Sequence, residues 1–232
     1  MNRIGIIGAM ELEVKQLKSK MTLERIVKKA SMDFYIGTLS NIDVIIVRSG
    51  IGKVNAAVCV QILADLFKVT HIINTGVAGS LNPALDIGDI VVSIDAIHHD
   101  MDVTTLGYQL GEVPQIGFLE FKANADMINA ALVSCKEVNP DINVRTGRVV
   151  SGDQFISSNE AKNKLISIFN GDCAEMEGAA IAHSAYLNKI PFVIIRAISD
   201  KADDSAQTDY PTFEKEAAKH SARLVENMIT LL

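Results

Sequence analysis

Short β-branched apolar runs recur along this chain, and most are separated by stretches of helical periodicity. Ile4–Ile7, Val44–Val47, Ile72–Ile73, Ile90–Ser93, Val149–Val150 and Phe192–Ile198 read as strands. Several are apolar at consecutive positions, as in a sheet covered on both faces. Glu11–Lys20, Val54–Phe67, Asn124–Val138, Asn159–Ile168, Gly178–Asn188 and Phe213–Leu231 read as helices. The alternation predicts an α/β fold with a largely parallel sheet. Two places break the rhythm. Phe34–Leu39 and Val44–Val47, with Ser40-Asn41 between them, read as an antiparallel hairpin, which makes the sheet mixed. Asp95–Phe118 shows no clear period and reads as a long loop, of the kind that is functional or lies at an interface. No repeat, low-complexity tract or linker interrupts residues 1–232, so they are read as one domain.

Composition excludes several function classes. With 22 Lys+Arg against 28 Asp+Glu the formal charge is −6, and Lys28-Lys29 is the only adjacent basic pair, so no nucleic-acid partner is expected. Aromatic residues make up 5% and Trp is absent, which leaves no stacking platform for single strands. The three cysteines, Cys59, Cys135 and Cys173, are far apart and lack CxxC spacing, arguing against a disulfide frame or a structural zinc site. The N-terminal residues lack the apolar core of a signal peptide, and no uncharged apolar run is long enough to span a membrane. A soluble, cytoplasmic protein without a membrane partner is expected.

Four segments place glycines and carboxylates just past strand ends, where open α/β sheets bind ligands. In Ile4-Gly5-Ile6-Ile7-Gly8-Ala9-Met10-Glu11-Leu12-Glu13 a strand and glycine turn lead into a helix. The third glycine of a dinucleotide fingerprint is missing, and Glu11 and Glu13 would repel a phosphate. Complementing the helix dipole is the ordinary alternative for both. Ser49-Gly50-Ile51-Gly52-Lys53 and Asn74-Thr75-Gly76-Val77-Ala78-Gly79 read as glycine-rich turns, neither matching a phosphate-binding loop. The fourth is a pair, Ala174-Glu175-Met176-Glu177-Gly178 and Arg196-Ala197-Ile198-Ser199-Asp200. If the first of these ends a strand, Glu175 and Glu177 share a face. Arg196, inside an apolar strand, needs a carboxylate partner, for which Glu175 or Glu177 is the natural choice; a purely structural ion pair stays open. Asp200 closes its strand, with a helix-capping role as the alternative. His98-His99-Asp100 with Asp102 has metal-ligand types, but adjacent strand histidines point to opposite faces, so no metal site is expected.

Taken in order, IGIIGAMELEV, SGIGKVNAA, NTGVAGSL, GDIVVS, HDMDVTTLGY, VSGDQFI, AEMEGAAIAH and PFVIIRAISDKAD resemble the bacterial 5′-methylthioadenosine/S-adenosylhomocysteine nucleosidases. The resemblance runs from residue 3 to the C-terminal helix. It implies a single-domain, three-layer α/β fold of the nucleoside phosphorylase type, with a central mixed β-sheet flanked by helices. It also implies hydrolysis of the adenine–ribose bond in adenine thio-nucleosides, without a cofactor. By the same resemblance Asp200 is the general acid at adenine N7, Glu13 activates water, and Glu177 holds the ribose hydroxyls. Met176 packs beneath the sugar, Phe155 stacks on adenine, and the Ile156 backbone reads the base edge. Arg196 lies near Glu177 and the water, Ser199 helps orient the acid, and Tyr210 closes over the substrate. Met10, Ile51, Val77, Ala78, Gly79 and Glu175 complete the substrate pocket.

Two positions depart from the family pattern. Val77 stands where the motif carries a serine, and Leu106 where an aromatic is usual. The resemblance further implies a homodimer, in which the Asp95–Phe118 loop reaches into the neighbouring pocket and presents Val103, Leu106 and Pro114 to the alkylthio group. Three other readings compete. Phosphorolysis needs cations around phosphate, for which Arg48 remains a candidate; an aminodeoxyfutalosine-type compound is an alternative substrate; a nucleoside sensor would need no acid and base flanking one bond.

Overall fold

The β-branched runs become the strands of one mixed sheet of ten strands. The computed structural model describes residues 2–232. In chain order the elements are β1 (Arg3–Gly8), α1 (Glu11–Lys20), β2 (Thr22–Lys29), β3 (Met32–Leu39), β4 (Ile42–Arg48), α2 (Lys53–Asp65), β5 (His71–Ser80) and β6 (Ile90–His98). They continue with β7 (Phe121–Lys122), α3 (Ala125–Val138), β8 (Val144–Ser151), α4 (Asn159–Phe169), β9 (Cys173–Glu175), α5 (Gly178–Leu187), β10 (Phe192–Asp200) and α6 (Ala206–Met228).

β4, β1, β5 and β10 run parallel, as do β6 with β8 and β8 with β9. β10 also pairs antiparallel with β6, and β9 antiparallel with β5. The path β5–β10–β6–β8–β9 therefore returns to β5 and closes a ring, from which β1, β4, β3 and β2 extend as a wing. Side chains of β10 alternate between two cores. Ile194 and Ile198 face α2 and α5, while Val193, Ile195 and Ala197 face α1, α3 and α6. A third cluster under α4 joins Leu165 and Phe169 to Ile156, Ala174 and Ala202. Burial on both faces is what the unbroken apolar strands require.

The β3–β4 hairpin turns at Ser40 and Asn41, both with positive φ (50° and 65°), the geometry that matches strand twist. The same kind of turn at Ala30 and Ser31 (φ 48° and 61°) joins β2 to β3, a strand pair that the sequence did not signal. β2 is exposed except at Val27, which packs on the core, and its charged residues blunt the sheet edge.

Several expected boundaries move. The segment read as a loop from Asp95 begins later, because Asp95–His98 continue β6 and pair with β8. Irregular chain runs from there to β7, with a 3₁₀ turn at Thr104–Leu106. Asn74–Gly79 is not a turn but the middle of β5, hydrogen-bonded to β10 throughout. Helix α6 starts at Ala206 rather than Phe213 and holds Pro211 within it, so Tyr210 lies on the helix.

His98 makes a measurable contribution of its own. It is buried at the end of β6, edge-on to Phe121 and His183, and neither ring nitrogen has a hydrogen-bond partner. Burial, reinforced by the charges of Lys53 and His183 and opposed by Asp100, pushes its proton affinity down to about 4. The unfolded chain takes up this proton near pH 6.5 and the folded chain does not, so its stability is complete above that pH and is lost as pH falls toward 4. The loss attributable to His98 is about 3 kcal/mol. Urea denaturation at pH 7.5 and 4.5 should show a smaller difference in His98→Phe than in the wild type; equal differences would refute the assignment.

Candidate active site

The C-terminal ends of the parallel strands β1, β5 and β10, with β9 running antiparallel to β5 beside them, bring four carboxylates to one place. β1 stops at Gly8 and α1 begins at Glu11, so the first helical turn stands over the sheet edge. The two glutamates of that turn part company. Glu11 is exposed and pairs with Lys18 at 2.9 Å, whereas Glu13 is buried beneath the helix. Glu13 Oε2 accepts the Met10 N–H at 2.9 Å, and Oε1 accepts the Val77 N–H at 3.1 Å from β5. It therefore satisfies a helix-end donor and also turns its carboxylate inward. Burial raises its proton affinity, with Arg196 pulling the other way.

Arg196 is fully buried in β10 and pairs with both carboxylates named for it. Its Nη2 donates to Glu175 and, at 2.5 Å, to Asn74 Oδ1, and it lies 3.7 Å from Glu177 Oε2. Gly76 lies opposite Arg196 in the β5–β10 register, and a side chain there would occupy the space of the guanidinium and the Glu13 carboxylate. Its glycine serves close approach within a strand.

β9 ends at Glu175, so Glu177 lies past the strand, in the capping position of α5. Glu175 accepts from the Ser151 hydroxyl, from the Glu177 N–H at 3.1 Å and from the Gly178 N–H at 2.8 Å. Ser151 Oγ accepts the Ala179 N–H at 2.7 Å. Glu175 is thus tied to Arg196 on one side and to the positive end of α5 on the other. Glu177 Oε1 accepts the Gly52 N–H at 2.8 Å. Burial, and then the negative charge of Glu175, raises the proton affinity of Glu177.

Asp200 closes β10. Its Oδ1 accepts the Ala202 N–H at 2.8 Å, and Oδ2 is 2.9 Å from Ser199 Oγ. Burial raises its proton affinity, and Asp209 and Asp203 add to that rise against the two hydrogen bonds. The bare Gly79 leaves room for this carboxyl beside β5.

Glu13, Glu177 and Asp200 face one cavity of about 350 Å³. Met10 and Ile51 stand at its mouth, Val77, Ala78 and Gly79 form one wall, and Glu175, Met176 and Ser199 line it as well. Phe155 and Tyr210 meet edge to face, with ring centres 5.7 Å apart, and the Tyr210 hydroxyl donates to Met10 Sδ at 3.2 Å. Arg196 lies behind the carboxylates and does not line the cavity. The Ile156 side chain turns away into the cluster under α4. Val103, Leu106 and Pro114 are all outside this cavity, and Leu106 is 73% exposed. Arg48 is exposed and outside it too, and no Lys or Arg is among the described lining residues. Ala9 and Ala174 line it without having been singled out from sequence. Behind it stand Asn74, Ser151 and the Gly52 N–H, which the motifs contain but whose residue types do not mark them as holding groups.

Among the described residues no group of three or more His, Cys, Asp or Glu is arranged to hold a metal ion, and no helix is long and apolar enough to cross a membrane. The family model described as the phosphorylase superfamily matches residues 3–230. The chain belongs to the phosphorylase superfamily. Within it, the chain is 41% identical over 227 residues to the 5′-methylthioadenosine/S-adenosylhomocysteine nucleosidase of an Exiguobacterium strain, covering 96% of this chain and 95% of that protein. A crystal structure of such a nucleosidase from Colwellia psychrerythraea, in complex with adenine, superposes with a TM-score of 0.96 at 40% identity, covering 100% of this chain and 96% of that one. The Neisseria meningitidis nucleosidase with methylthio-immucillin-A gives 0.96 at 37% identity, with both chains fully covered (100%). The chain falls in the nucleosidase branch of the superfamily and shares the fold of those structures. Val77 keeps its backbone N–H on Glu13, while its side chain gives the wall an apolar surface.

Proposed function

We propose that this chain hydrolyses the N-glycosidic bond of 5′-methylthioadenosine and S-adenosylhomocysteine, releasing adenine and the thioribose product. The observation that carries this reading is the meeting of Glu13, Glu177 and Asp200 at one cavity, with Phe155 and Tyr210 above it. Adenine is a poor leaving group as an anion. Asp200, buried and prone to keep its proton, supplies that proton to N7 as the C1′–N9 bond breaks and its electron pair enters the purine. The ribose carbon becomes cationic, as in glycoside hydrolysis. Glu177 accepts from the ribose hydroxyls and stabilises that charge. Water attacks C1′ from the other face and gives its proton to Glu13, whose carboxylate is held by two backbone N–H groups. Met176 packs under the sugar, Phe155 covers the base, and the Ile156 backbone reads the base edge. Ser199 orients the acid through its contact with Asp200.

Hydrolysis is favoured over phosphorolysis by charge. A phosphate would meet carboxylates here, with Arg48 outside the cavity and Arg196 already paired. The protein is expected to work in the cytoplasm as a homodimer, with the irregular segment bearing Val103, Leu106 and Pro114 closing the partner's pocket. The exposed Leu106, and the exposed Val54 and Val58 of α2 beside Ile51, support that arrangement.

Adenine release from methylthioadenosine should proceed at the same rate with and without phosphate. Release that requires phosphate would overturn the hydrolase reading. A panel that adds S-adenosylhomocysteine and an aminodeoxyfutalosine-type compound would rank the substrates. Glu13→Gln should lower kcat by at least about 100-fold and leave adenine affinity within a few-fold.

A further inference from the structure

The lysine of Ser49-Gly50-Ile51-Gly52-Lys53 and the aspartate of His98-His99-Asp100 take no part in this chemistry, yet the fold brings them together. Lys53 Nζ donates to Asp100 Oδ1 at 2.5 Å, with the two side chains only 22% and 18% exposed. Asp100 Oδ2 accepts the Asp153 N–H at 3.0 Å, and Asp153 Oδ1 accepts the Lys53 N–H at 2.9 Å. The three residues close a triangle that no two of them could form alone.

None of the three lines the cavity, but Lys53 and Asp153 each lie two residues from a lining side chain, Ile51 and Phe155, and Asp100 ties the two together. Lys53 opens α2, directly after Ile51 at the mouth and Gly52, whose N–H holds Glu177 at 2.8 Å. Asp153 follows β8 and precedes Phe155 by two positions. Asp100 begins the irregular segment that carries Val103 and Leu106. Gly52 has φ +97°, and a side chain on it would press on Asp153 Oδ1 at 3.1 Å, so the corner is also sterically set. An exposed lysine–aspartate pair contributes little by itself. This one is mostly withdrawn from water, and its carboxylate, that of Asp100, holds the Asp153 N–H as well. Burial pushes the Asp100 carboxyl up, but Lys53 and the Asp153 N–H outweigh it and hold the group below its ordinary range.

We propose that Lys53 and Asp100 are positioning residues for substrate binding, whose ion pair, closed through Asp153, fixes the Phe155 loop and the Gly52 N–H where purine and ribose need them. This rests on the nucleosidase reading. Glu13 and Asp200 are held by other groups, the first by Met10 and Val77, the second by Ser199 and Ala202, and Glu177 keeps Arg196 3.7 Å away whatever becomes of the Gly52 N–H. Opening the triangle therefore weakens binding more than it slows the bond-breaking step.

Steady-state adenine release from methylthioadenosine, with melting curves on each protein, tests it in Lys53→Met, Asp100→Asn, the double variant and Lys53→Arg. Lys53→Met and Asp100→Asn should each raise KM by about 10-fold or more and change kcat by less than about 3-fold. The double variant should match the worse single one, because both substitutions open the same contact. Lys53→Arg, which keeps the cation, should return KM to within about 3-fold of wild type. Effects that multiply in the double variant, a fall confined to kcat, or an unchanged KM would each overturn the proposal. Should Lys53→Met not melt cooperatively, Asp100→Asn and Lys53→Arg decide by the same criteria. Wild-type turnover with unaltered variants overturns the triangle alone; a wild type that releases no adenine overturns the nucleosidase reading and the triangle with it.

Discussion

Asp200→Asn should cut kcat by roughly 10²–10⁴-fold, the range that a positioned general acid supplies, while adenine continues to bind. The substitution is nearly isosteric. An asparagine oxygen can still accept the Ala202 N–H, and its neighbour Ser199 remains in place. What it cannot do is deliver a proton to the purine. Folding should be unharmed, since the carboxyl it replaces is buried and gains nothing from being charged there. The check combines steady-state adenine release with calorimetric adenine binding and a melting curve. A variant within about 3-fold of wild-type kcat would remove Asp200 from the acid role.

Arg196→Met should destabilise the fold by roughly 3–5 kcal/mol at pH 7, the cost of leaving buried charges without their partner. Methionine fills much the same length but abandons Glu175, which is tied to the start of α5, and leaves Glu177 and Glu13 without the nearby cation. For a chain of this size the melting temperature should fall by roughly 6–20 °C. The defect should also depend on pH in a definite sense. In the variant the carboxylates relieve their repulsion by binding protons, so the stability gap to wild type narrows as pH falls and widens as it rises. Urea denaturation of both proteins at pH 5.5 and 8 tests this. A gap that is constant across that range would mean that Arg196 acts through packing alone.

Much of the fold was legible because its strands are apolar on both faces, and Phe192–Ile198 leaves little room for another reading. β2 was hidden for the opposite reason. Its residues, Val27 apart, are exposed on the sheet edge, and its hairpin turns at Ala30-Ser31, which lack the usual turn chemistry. Asn74–Gly79 misled through its glycines, which serve close approach by Arg196, Glu13 and Asp200 rather than chain reversal. Most of the cavity lining was legible in the motifs, but Ile156, Arg196, Val103, Leu106 and Pro114 lie off it, and the support behind it was not legible. Glu11 and Glu13 share one helical turn, and only the tertiary contact with Val77 separates an exposed ion pair from a cavity group. The carboxylate partners of Arg196 followed from the cost of a lone buried charge, yet the division between a tight contact with Glu175 and a looser one with Glu177 depends on where β9 ends.

The ring of strands has a consequence for biosynthesis. β10 is the last strand of this sheet to leave the ribosome, and it inserts between β5 and β6, whose paired residues lie more than a hundred positions upstream. Until it arrives, both older strands present unpaired edges, and the long-range pairing that follows is a slow class of folding event. Asp200 and Arg196 both travel on that strand. A nascent chain therefore carries Glu13 and Glu177 for some time as separate, unassembled groups, and ring closure and active-site assembly become a single late step. Any chain truncated before β10 should be both inactive and prone to aggregate.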